Sequence, residues 1–221
     1  MANINNIEEM AIKNSDIAKQ EKEVALLEKK MAKEELNRTR ARERLAYSQE
    51  KLAELTLKLR EKNFELIENK IKDMSILKYT EEQLNKEKKM AVYDENIAKA
   101  QLKMAEIHKK IAEVEIKVAD LRLKIAGNKI KISDEREKLA KKMLLYVKAA
   151  RSGADEQKLS KLESNYENQK ENLNDKRKEI IEKKEAISNK QIKLSELKRE
   201  LSNAMNERAK IRPTGTIEQS F

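Results

Sequence analysis

The sequence predicts an all-α chain: an elongated antiparallel coiled coil of three long helices, up-down-up, with a short irregular C-terminal tail. Two observations carry this expectation. The first is a doublet of one apolar residue and one alanine, repeated every seven positions. One series runs Met10-Ala11, Ile17-Ala18, Val24-Ala25, Met31-Ala32, Leu45-Ala46 and Leu52-Ala53; the other runs Met90-Ala91, Ile97-Ala98, Met104-Ala105, Ile111-Ala112, Val118-Ala119 and Ile125-Ala126. Seven residues are two helical turns, so each series draws a stripe along one side of a helix. The alanine in each doublet lets a neighbouring axis come close. The second is composition: of 221 residues, 41% are charged and 3% aromatic, with three glycines and one proline. That mixture makes narrow apolar seams between long helices rather than a thick core.

The first helix is expected over about residues 5–74, with its stripe running from Met10 to Leu66-Ile67. Arg38-Thr39 stands where a doublet is due. A charge there either fixes register inside a seam or marks a solvated break with the arginine reaching outward. The second helix is expected over 81–151. Its stripe is out of phase with the first, because Met10 and Met90 are not a multiple of seven apart, so the seam is interrupted between Asp73 and Thr80. Thr80-Glu81-Glu82-Gln83 has capping-box spacing and points to a hairpin turn. A stammer inside one continuous helix is the alternative. Residues Leu121 to Ile132 alternate apolar and polar about Gly127-Asn128, as a β-hairpin does. The heptad Val118, Ile125, Ile132, Leu139, Tyr146 passes through them in phase, which favours helix.

Arg151-Ser152-Gly153-Ala154-Asp155 places a glycine where a helix ends and an acidic cap where the next begins. The third helix, over about 155–211, carries Leu159, Tyr166, Leu173, Ile180, Ile187, Leu194 and Leu201 at sevens. Pro213 and Gly215 end it. Residues 1–211 therefore read as a single coiled-coil domain and 212–221 as a flexible tail.

Several function classes drop out of the expectation. There is no cysteine, hence no disulfide, thiolate metal site or thiol chemistry. No N-terminal signal and no long apolar run are present, so a cytoplasmic location is expected. His108 is the single histidine and stands among charged neighbours, without the converging partners that catalysis or a metal requires. No enzyme, cofactor or small-molecule substrate is expected. The net charge is +10, but most basic residues interleave with acids and the five tyrosines are scattered, so nucleic acid is not the expected partner.

Three surfaces are candidates for function. The middle of the second helix is apolar nearly all round, and the facing stretch of the third offers one apolar residue per heptad, with Gln169, Lys176, Lys183 and Lys190 at the other seam position. Val114, Ile116, Leu121, Leu123, Ile130 and Ile132 are therefore the expected interface for a second copy or a helical partner. A crowded three-helix core is the alternative. Lys138, Lys141, Lys142, Met143, Leu144 and Leu145 form a basic amphipathic stretch suited to an anionic membrane or a partner, or else the buried end of a helix. Ile217 and Phe221 would serve as a docking peptide in the tail.

The expected function is a non-enzymatic structural protein that self-assembles into a filament, sheath or scaffold. In length, charge and three-long-helix layout the chain also resembles BAR domains and the bacterial phage-shock and ESCRT-III group. That resemblance is one of architecture, and it implies a basic helical protein that binds or remodels membranes.

Overall fold

The computed structural model describes residues 2–72 and 81–212. They form three helices, α1 (Ala2–Lys72), α2 (Glu81–Arg151) and α3 (Glu156–Lys210), and no strand occurs among the described residues. These bounds lie within three residues of those the heptads predict. The stretch 121–132 is unbroken helix, so the β-hairpin alternative is excluded. Local alternation loses there to a period that runs on for several turns on either side. The expected hairpin turn or stammer at 73–80, the expected Thr80 cap, and the tail residues Ile217 and Phe221 lie outside the described residues.

The α2–α3 corner is built as its residues suggest. Gly153 takes a left-handed conformation, φ 73°, which a side chain would resist. Its N–H donates to the Ala150 carbonyl at 3.3 Å, and the Ala154 N–H donates to the Ala149 carbonyl at 3.1 Å. Two carbonyls that the helix end leaves open are thereby satisfied. Asp155 then caps α3, accepting from the Lys158 N–H at 2.7 Å.

The chain packs as two units. One combines Met1–Arg38 with Lys117–Gln191, the other Thr39–Ile116 with Ile192–Phe221.

In the first unit Glu8 meets Arg151, Glu21 meets Arg136, Glu28 meets Lys129 and Glu35 meets Arg122. Each step up α1 is matched by a near-equal step down α2, so the two helices are antiparallel. Asn128 on α2 donates to Glu179 on α3 at 3.0 Å, and the Tyr146 and Tyr166 rings meet edge to face at 5.5 Å. These pairs run antiparallel as well. The core joins Ile125, Ile132, Leu139 and Met143 of α2 to Tyr166, Leu173 and Ile180 of α3, with Ala11 of α1.

In the second unit Glu50 meets Lys109, Arg60 meets Asp94 and Glu68 meets Lys88, again antiparallel. Ile107, Ile111 and Val114 of α2 pack with Leu197 and Ala204 of α3. Near the end of α3, Glu207 pairs with Lys103 at 2.8 Å.

The alanines make the α1–α2 seam. In the first unit Ala11, Ala18, Ala25 and Ala32 of α1 are buried, as are Ala119, Ala126 and Ala140 of α2. Ser133 fills the α2 alanine position that falls due, and its hydroxyl donates to the Lys129 carbonyl. In the second unit Thr39 and Ala46 face inward from α1, and Ala91, Ala98, Ala105 and Ala112 from α2. Arg38 points to solvent and pairs with Glu34, so the interruption in the first stripe is a solvated charge beside a small buried residue.

Candidate interaction surface

The doublets divide their labour differently on the two helices. On α2 the large members Met104, Ile111 and Ile125 pack with α3 residues. Val118 and Ile125 are buried in the first unit; Ile111 is buried and Met104 packs against the core in the second. Met90 lies past the last α3 turn and is exposed. On α1 the alanine is inside and its large neighbour is outside. Two consecutive helical residues point about 100° apart, so the doublet makes two stripes, and on α1 the second stripe faces solvent.

In the first unit that outer stripe consists of Met10, Val24, Leu27 and Met31, exposed by 55% to 69%, with Ile17 half-buried between them. In the second unit it consists of Leu45, Leu52, Leu55, Leu59 and Leu66, exposed by 59% to 66%. Both contain the spacing three-then-four, at Val24, Leu27, Met31 and at Leu52, Leu55, Leu59. A seam between two packed helices uses that spacing. Single exposed leucines are ordinary on a protein surface; a row in register is not.

The predicted residues fall as follows. Val114 and Ile132 are buried in the chain's own core, and Ile116, Leu121, Leu123 and Ile130 are half-buried. The open apolar stripe expected on the middle of α2 is therefore absent there; the open stripes are on α1. The physical reason is that α2 has a neighbour on each side, and this absorbs its all-round apolar character.

The stretch at 138–145 splits. Met143 is buried, with the Asn14 amide 3.9 Å from its sulfur. Lys142 donates to the Gln169 side chain at 2.9 Å and to the Asn165 carbonyl. Lys138 and Lys141 are exposed but paired with Glu135 and Glu137. Leu144 and Leu145 face solvent. Hydrogen bonding from Lys138, helped by Gln169, holds the Glu135 carboxyl below the ordinary carboxylate range in spite of desolvation.

A groove of about 550 Å³ in the first unit is lined by Val24, Ala25 and Ile132 with Lys129, Arg136 and Arg177. Lys129 and Arg136 are already neutralised by Glu28 and Glu21. His108 is exposed. Among the described residues no group of three or more His, Cys, Asp or Glu side chains could hold a metal ion, and no helix is long and apolar enough to cross a membrane. No protein family, curated protein or solved structure matches the chain.

Proposed function

We propose that the protein is a non-enzymatic helical scaffold whose role is to associate with further helices, copies of itself first among them. The observation that carries this reading is the row of exposed, heptad-spaced apolar residues on α1. Exposing that much apolar surface in register carries a solvation cost of roughly 25 cal/mol per Å² that a partner helix would remove. The fine spacing argues for a helical partner, since a small molecule needs a concave site and a membrane needs no register. Light scattering over a concentration series tests the reading. Growth in mass with concentration is the expected result, and a monodisperse monomer at tens of micromolar would count against it.

The membrane reading keeps one observation in its favour. Leu144 and Leu145 are exposed between Lys141 and Lys148, an arrangement that suits the boundary of an anionic bilayer. Co-sedimentation with phosphatidylserine vesicles checks it; binding lost on changing Leu144 and Leu145 to serine is the supporting outcome, and absence of binding removes the idea.

A further inference from the structure

Resting on the scaffold reading, we infer that the outer leucine row of the second unit, Leu45, Leu52, Leu55, Leu59 and Leu66, packs against the same row of a second copy. The case begins with what this chain can offer such a row. Among the described residues the exposed large apolar side chains of α2 are Met90, Val92, Leu144 and Leu145, and those of α3 are Ile181, Ile192 and Met205. Neither set recurs at sevens. The partner of a seven-residue row must carry the same period to stay in contact over several turns. Within an assembly of copies, the matching face is α1 itself.

Area and charge agree. Leucines exposed to this degree present on the order of 100 Å² each, so the five approach the scale of the ~800 Å² per partner found in standard interfaces once flanking stems are added. One edge of the row carries Arg44, Lys51, Lys58 and Glu65, and the other carries Gln49, Thr56, Asn63 and Lys70. Two rows lying in the same direction set Arg44, Lys51 and Lys58 of one copy against the neutral residues of the other, and Glu65 against Lys70. In the opposite direction Arg44 would meet Glu65, but Lys51 would meet Lys58 at the centre of the seam. Edge residues of this kind set partner choice and direction. The pair is therefore a same-direction pair, with Leu52 beside Leu52 and Leu59 beside Leu59.

The chain has no cysteine, which makes the test direct. Leu52→Cys and Leu59→Cys are each prepared singly in the full chain, with Ile192→Cys, nearly as exposed on α3, as the control. Mild oxidation of each is followed by scattering under reducing conditions on the same samples. Covalent dimer at least about tenfold more abundant for Leu52→Cys and Leu59→Cys than for Ile192→Cys is expected. A Leu52→Glu, Leu59→Glu double variant should keep its helix content, since both positions face water, while its association weakens by about tenfold or more. Oligomers that form without excess cross-linking at 52 and 59, or that survive the double glutamate change, overturn the inference and leave the scaffold reading standing. A monomer at every concentration, with no excess cross-link, overturns both.

Discussion

Exchanging the sizes within one doublet gives the sharpest test of how α1 packs. Met31 is 69% exposed and Ala32 is 8% exposed, so the usual expectation, that trimming a large apolar residue costs more than enlarging a small one, is reversed here. Complete burial of a methionine is worth about 1.5–3 kcal/mol. With less than a third of Met31 covered, Met31→Ala should cost about 0.5–0.9 kcal/mol. The slightly better helix propensity of alanine offsets a little of that.

Ala32→Leu adds three carbons to the seam. The ion pairs Glu28–Lys129 and Glu35–Arg122 place Ala32 level with Ile125, with Ala126 alongside, and both are buried. Overpacking of this kind costs about 1–3 kcal/mol. In a chain of this size each kcal/mol moves the melting temperature by about 2–4 °C. Ala32→Leu should therefore melt about 2–12 °C lower, and Met31→Ala no more than about 4 °C lower. Far-ultraviolet circular dichroism reads both, at a concentration where scattering reports monomer. If Met31→Ala proves the more damaging of the two, the large member of the doublet lies in the seam and the packing described here is wrong.

Other predictions are simpler. Gly127 is in the interior of α2, and a Cβ placed there would meet nothing within 4 Å. Gly127→Ala should accordingly stabilise the chain by about 0.5–1 kcal/mol in urea unfolding. At Gly153 the space is equally open but φ is +73°, so Gly153→Ala should destabilise by about 1–2 kcal/mol. Acid should weaken the fold through Glu135, whose carboxyl is held below its ordinary 4.5 first by the Lys138 hydrogen bond. A depressed carboxylate contributes its stability above the unfolded value and loses it as pH falls through the folded one. Lys138, raised above 10.5 first by its hydrogen bond to Glu135, adds a matching loss at the alkaline end. The urea midpoint should be flat across neutral pH and decline below about 4.5 and above about 10.5; a step near neutrality would contradict this.

Much of the fold was legible in the residues. Period seven located three helices, and the chemistry of Gly153 and Asp155 placed the second corner, because left-handed glycine and an acidic cap each answer a specific backbone need. The outward face of α1 was harder to read. A doublet such as Val24-Ala25 says that two adjacent faces are apolar, and nothing within it says which one a neighbour takes. The apolar surplus of Ile116, Leu123 and Ile130 on α2 has the sequence pattern of an interface, although a helix between two others needs that surplus for itself. The informative signal was a mismatch in supply. Both long helices carry the same doublets, and the described residues supply one further helix, α3, whose heptad apolar row packs on α2. The corresponding stripe of α1 is left open.

The alternation of size along α1 also governs which length changes the hairpin can absorb. Slide α1 by one residue against α2 in one direction, and Met31 and Val24 arrive where Ala32 and Ala25 had been, in a gap too narrow for either. Slide it the other way, and Lys33 and Leu26 arrive instead. Both displacements are blocked, by bulk in one case and by bulk and charge in the other. Single-residue insertions within either arm should thus be poorly tolerated, whereas matched additions of seven residues to both arms would lengthen the hairpin and leave every alanine facing its counterpart.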